Sequence, residues 1–260
     1  SFAPGGGYAY SNIGYQVLGE IIEVVSGLSY EDYVQANLLA PLGICDMHEG
    51  KNLLADKQER EGEYVGNGYV TLSSYGTGDY VPWEYGGFSV EAMDSAGGWI
   101  VTARDLTRLL VAVDGFATKP DILSAASIAT MTTPSPNNPN YALGWAVNQY
   151  NNWWHTGSLD GTASFFARTS DGYTWAIILN KREYSNAFWS DLDALPWNCI
   201  ASTASYPTHD LMAVPTQNTS GLTFSAPTET SVTVSWSPGN GNERILVGKA
   251  GGPVSAFPVD

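Results

Sequence analysis

The chain has 260 residues, 43% hydrophobic and 14% charged, a balance that implies a globular protein with a substantial core and excludes a disordered one. Eleven Lys and Arg stand against 26 Asp and Glu, and the formal net charge of −15 excludes nucleic acid and anionic lipid surfaces as natural partners. No run reaches the roughly 18 apolar residues of a membrane span, so membrane association is not indicated.

In chain order, a Gly-rich turn, FAPGGG, leads to Tyr10-Ser11-Asn12. Ile13, Val17, Leu18, Ile21, Ile22 and Val25 then recur at helical spacing until Gly27, which predicts a helix over 12–26 with that face buried. Ser29 and Asp32 form a capping-box pattern that opens a short helix ending before Pro41, and Thr102 and Asp105 repeat it ahead of LTRLLVAVDG. Residues 51–98, rich in Gly, Tyr and Ser, read as long loops with one small strand pair; a stretch of this length is functional or poorly ordered. Its aromatic residues fit either rim packing or the wall of a cleft for a peptide-like or sugar-like ligand.

From Tyr141 the period changes to that of strands: YALGWAVN, WWHTGS, TASFFART and YTWAIILNK, the last two joined as a hairpin across Ser170-Asp171-Gly172. SNAFWSDLDALPWNCIAS then suits a helix on that sheet, with Phe188, Leu192 and Leu195 on one side. Helices followed by antiparallel strands and a covering helix make an α+β fold, an antiparallel sheet flanked by helices with a helical subdomain. Residues 203–217 read as a linker. In 218–260, Val232, Val234 and Trp236 alternate ahead of a Gly-Asn-Gly turn, like the start of a partial β-sandwich of fibronectin type III type. Cys45 and Cys199 lack metal-ligand spacing, which leaves a long-range disulfide or, preferred, two buried thiols. His48 and His209, in a loop and in the linker, read as exposed.

Tyr10-Ser11-Asn12 at a helix start and His155-Thr156-Gly157 on a strand are weak signals singly, since a cap and a turn approach explain them. Together and in this order they resemble the second and third motifs of the serine hydrolases that include class C β-lactamases, D-alanyl-D-alanine peptidases and related esterases, whose set is Ser-x-x-Lys, Tyr-x-Asn and Lys/His-Thr-Gly. FAPGGGYAYSNIGYQVLGEIIEVVSG, YVQANLLAPLGICDM, DSAGGWIVTARDLTRLL, YALGWAV and HTGSLDGTASFFARTSDGYTWAIILN are similar to landmarks of that family, in its order, over about residues 2–200, which makes 1–202 the expected hydrolase domain.

That resemblance implies a β-lactamase/transpeptidase-like domain, here partial, of a periplasmic or secreted bacterial protein, with no cofactor and no metal. It implies a small-molecule or peptide substrate, peptidoglycan-derived compounds among them. Tyr10 would be the proton shuttle, and Asn12 would donate its amide to the substrate's acyl side chain. His155 and Thr156 would face its leaving side or carboxylate, and Gly157 would leave room for its approach. The backbone N–H of Ser158 would serve the oxyanion. His in place of Lys at 155 tilts the expected activity from β-lactamase towards peptidase or esterase.

The family's first motif is not in this sequence. The residues three positions before Lys51, Lys57, Lys119, Lys181 and Lys249 are His48, Leu54, Phe116, Ile178 and Leu246, none of them Ser. The expectation is a serine-hydrolase fragment that lacks its nucleophile and is inactive; the alternative is a non-catalytic cell-wall peptide-binding protein that keeps the cleft. The fragment reading also expects TWAIILNK to present an open apolar sheet edge.

Overall fold

A computed structural model describes residues 2–208, 210, 220–226, 228 and 231–238, and the chain divides into two compact units, 1–201 and 202–260. His209 and the Gly-Asn-Gly turn lie outside the described residues.

Helix α1 (Asn12–Ser26) starts where Ser11, extended, accepts the Gly14 N–H on its hydroxyl, and it stops at Gly27 in the left-handed conformation. Its apolar face is not buried. Ile13 is 71% exposed and Val25 82%, and Gly19 is the buried residue of the helix. The reason lies in how α1 is held, which is by close backbone approach rather than by its apolar stripe. A Cβ on Gly19 would lie 2.1 Å from Ser95 Oγ, whose hydroxyl donates to the Tyr15 carbonyl at 2.8 Å, while Gln16 donates to the Ala92 carbonyl at 2.5 Å.

Ser29 caps α2 (Tyr30–Val34), accepting from the Asp32 N–H. The helical path does not end before Pro41. It runs through a π turn at Gln35–Leu39 and a 3₁₀ turn at Ala40–Leu42, where Pro41, in the first turn, needs no N–H partner, and stops at left-handed Gly43. Leu39 and Ile44 are fully buried beneath this turn.

Strand β1 (His48–Glu49) and the long loop region follow, with β2 (Val70–Leu72) and β3 (Tyr80–Pro82) pairing antiparallel. β4 (Trp99–Ile100) returns to pair with β1. His48 is therefore a half-buried strand residue rather than a loop histidine, its Nδ1 3.2 Å from Gln35 Nε2 and 3.6 Å from a Glu31 carboxylate oxygen. Thr102 caps α3 (Ala103–Val111), which buries Leu106 and Leu110, and Ser124 caps α4 (Ala125–Thr132), which buries Ile128.

Strands β5 (Ala146–Val147), β6 (Trp153–Leu159), β7 (Thr162–Arg168) and β8 (Thr174–Leu179) form an antiparallel sheet in chain order. Helix α5 (Asn186–Ser202) covers one face, where Leu192 packs with Phe165 and Ala167, and Phe188, Trp189, Trp154 and Trp175 surround them. Leu195 is half exposed instead, because Pro196, four residues after Leu192, takes the inward position. On the other face Val147 and Trp153 join Ile128 of α4. β8 is the sheet's edge; its one strand neighbour among the described residues is β7, and Val65 bridges to Lys181 just past its end. The mixed helix and antiparallel-sheet fold agrees with the α+β expectation. In the second unit, β9 (Ser220–Ser225) pairs antiparallel with β10 (Thr233–Ser237), and Val234 is partly buried.

Both cysteines are exposed, and no disulfide joins them. The buried-thiol reading is corrected: Cys45 follows the buried Ile44 at the surface, and Cys199 lies on the outer side of α5. No described helix is long and apolar enough to cross a membrane.

Candidate active site

The start of α1 and the end of β6 meet across a cleft of about 740 Å³. Asn12, Ile13 and Gln16 line it from α1, and Ser158, Leu159 and Asp160 from the β6 end. Tyr69, Trp83 and Phe88, from the long loop region, form its aromatic wall with Tyr184 beyond β8. The aromatic residues of that region thus include the cleft-wall set, and concave apolar surface with a few polar groups is what ligand sites present.

The strand period explains how β6 divides its residues. His155 and Gly157 project to one face, and Trp154, Thr156 and Ser158 to the other. Past Trp154, β6 has no strand partner opposite β7 among the described residues, so alternate residues of 155–159 turn backbone N–H and C=O groups to an open edge. Gly157 has a packing reason as well: a Cβ there would sit 2.3 Å from Ser164 Oγ on β7.

Tyr10 and His155, 145 positions apart, are brought together with ring centroids 6.2 Å apart. Both belong to an aromatic cluster beside the cleft rather than to its lining. Tyr141 completes the cluster, edge-on to Tyr10 at 6.0 Å, with its hydroxyl 2.8 Å from His155 Nε2. His155 Nδ1 lies 2.8 Å from the Thr156 carbonyl, which can only accept, so Nδ1 carries a proton; in the neutral ring Nε2 then accepts from Tyr141. Burial, aided by Tyr15, Tyr10 and Tyr8 nearby, pushes the Tyr141 phenol well above its ordinary value, which keeps it a donor.

Across the cleft, Arg182 donates from Nη1 to Ser158 Oγ at 3.0 Å and pairs through Nη2 with Asp160 Oδ1 at 3.3 Å. The Tyr184 hydroxyl also donates to Asp160 Oδ1, and the guanidinium lies 4.1 Å over the Tyr184 ring. Arg182 Nε is buried without a hydrogen-bond partner. Tyr141, Asp160, Arg182 and Tyr184 were not among the residues the motifs single out. Tyr141 opens YALGWAV, a landmark quoted above, whereas Arg182 meets Ser158 only through the fold. No cluster of three or more metal-ligating side chains occurs among the described residues.

The turn Asp94–Ala96 carries Ala96 into the lining, and its Asp94 side chain hydrogen-bonds Glu49 of β1. Burial first, then a hydrogen bond and like charge from Asp94 and the Glu31 charge, raise the Glu49 carboxyl to about 8, with Lys51 acting the other way. Glu49 therefore holds its proton in the folded chain between about 4.5 and about 8 while the unfolded chain releases it. The stability tied to that proton is fully present below about 4.5 and is lost as pH rises through about 8. Glu49→Gln is expected to flatten the fall in melting temperature between pH 5 and pH 8.5; an unchanged fall would assign it to other groups.

Residues 1–195 match the family described as Beta-lactamase. Penicillin-binding protein 4* of Bacillus subtilis (strain 168) is 44% identical over 43 residues, 16% of this chain and 10% of that protein. Among solved structures, D-amino acid amidase from Ochrobactrum anthropi SV3, complexed with D-phenylalanine, is 24% identical with a TM-score of 0.56, covering 76% of this chain and 59% of that one. A penicillin-binding protein from Bacillus halodurans is 20% identical with a TM-score of 0.57, covering 75% and 58%. A class C beta-lactamase is 20% identical with a TM-score of 0.51, covering 76% and 58%. The chain thus spans less than two thirds of the length of each, and at these identities the structural likenesses bear on fold.

Proposed function

The chain belongs to the beta-lactamase family, and from that premise we propose that it supplies the substrate-holding side of a serine-hydrolase active site acting on amide, ester or β-lactam bonds through an acyl-enzyme. The observation that carries the reading is the meeting of Asn12 and Ser158, 146 positions apart, in one cleft with an aromatic wall. Asn12 donates its side-chain amide to the acyl group of a bound substrate. The open edge of β6 at 155–159 offers backbone donors to the carbonyl oxygen, where charge develops during acyl transfer. Tyr10 is the proton shuttle, and Tyr141 and His155 hold the ground beside it: the Tyr141 hydroxyl fixes the His155 ring, which keeps Tyr10 in edge and tilted contact with both. Such a phenol moves a proton only with a basic partner beside it. The nucleophile and activating lysine that the family places there are not encoded in these 260 residues.

Substrates of this reading are small acylated compounds or peptides with an apolar side chain that fits against Tyr69, Trp83 and Phe88. Bacterial secreted or periplasmic peptide fragments, peptidoglycan-derived ones among them, have that form. One structural neighbour holds D-phenylalanine, which makes N-acetyl-D-phenylalaninamide a suitable probe. It is expected to quench tryptophan fluorescence saturably, with Trp83→Ala weakening binding about tenfold. Binding unaffected by Trp83→Ala would remove the cleft from this role.

A further inference from the structure

Resting on the reading of this cleft as a substrate site, we propose that it selects an uncharged acyl or amide group over a free carboxylate at its β6 end, through the neutralised Arg182–Asp160 pair. An arginine in a substrate cleft ordinarily invites an anion. Here the guanidinium already donates to Ser158 Oγ, pairs with Asp160 and lies over the Tyr184 ring. Its side chain is 16% exposed and that of Asp160 is 9% exposed, so the two charges face each other out of water and cancel. The Tyr184 hydroxyl adds a second donor to the same Asp160 oxygen, and its ring covers one guanidinium face. Lys181, next in the chain, is itself paired with Glu183 at 2.6 Å.

What Arg182 delivers to the cleft is therefore an oriented hydroxyl rather than a charge. By donating to Ser158 Oγ it occupies one lone pair of that oxygen and leaves the O–H for an acceptor in the cleft. An amide or ester carbonyl takes that neutral donor at small desolvation cost. A carboxylate would give up its hydration to meet an arginine already paired with Asp160. Arg182 is thus a specificity-determining and positioning residue, and its buried Nε without an acceptor fits a group held for a site rather than for stability alone.

The test compares two probes at 0.15 M salt on the 260-residue chain, N-acetyl-D-phenylalaninamide and N-acetyl-D-phenylalanine, by calorimetric or fluorescence titration. Wild type is expected to bind the amide at least about tenfold tighter than the acid. Asp160→Asn keeps the shape and the acceptor for Tyr184 but leaves the Arg182 charge unbalanced, so it should shift the ratio of the two affinities about tenfold towards the acid. Arg182→Gln should move the ratio the other way, and the wild-type ratio stands as a test even where a variant fails to fold. Acid binding as tight as amide binding in wild type, or an Asp160→Asn ratio equal to wild type, overturns this inference alone. Absence of saturable binding of either probe overturns the substrate-site reading with it.

Discussion

Replacing Arg168 by methionine is expected to cost about 3–5 kcal/mol of stability and to lower the melting temperature by about 10 °C. Arg168 closes β7 and is 5% exposed. Its Nε donates to the Asp114 carbonyl at 2.9 Å and its Nη1 to the Asn151 carbonyl at 3.0 Å. The guanidinium lies 3.9 Å over the Phe116 ring and 4.2 Å over the Trp153 ring. Methionine fills much of the volume but leaves two carbonyls short of a donor and removes both cation–π contacts, each a named source of large effects. The consequence reaches the site, because Asn151, with a φ of 60°, turns the chain into β6, and Arg168 sits opposite Trp153 in the register that sets out 155–158. Lysine at 168 keeps the charge without the planar fork and should recover only part of the loss. A melting temperature within about 1 °C of wild type for Arg168→Met would show that the cage does not hold β6.

The second large effect is on chemistry. The 260-residue chain is expected to give no covalent adduct with benzylpenicillin by intact mass, and no turnover of a chromogenic cephalosporin or a p-nitrophenyl ester above the buffer rate. A hydroxyl becomes a nucleophile only beside a base that takes its proton. None of the five lysines has a serine three positions before it. Ser158 is no substitute, since its oxygen accepts from Arg182, which draws electron density away from it. A stable adduct, or turnover abolished by Tyr10→Phe, would contradict this account of what the encoded residues can do.

Much of this was legible because it is local. The helix starts at Ser11, Ser29 and Thr102 follow from one side chain and the amide three residues on, and the four strands of the sheet from alternation and short turns. The two motifs named residues that the fold does bring to one region. Tertiary contacts overrode the local pattern elsewhere. The α1 stripe looks like a core face, yet the helix is anchored by Gly19 against Ser95, a contact invisible without the fold. Leu195 matches helical spacing, but the proline at 196 takes the inward place. The family resemblance assigns Gly157 to substrate access, while Ser164 across the ladder already requires a residue without a side chain. Ser158 and Asp160 lie in the quoted HTGSLDG stretch, but Arg182 left no sequence signal, because it reaches them from beyond β8 through the fold alone.

The central claim is that the α1 start and the β6 end form one ligand site with the aromatic loops. The most direct measurement is a chemical-shift map of the ¹⁵N-labelled chain titrated with N-acetyl-D-phenylalaninamide. The account predicts saturable shifts at the Asn12 side-chain amide, the Ser158 backbone amide and the Trp83 indole, with one shared dissociation constant. Saturable shifts confined to other parts of the chain, or different constants at these three groups, would contradict it.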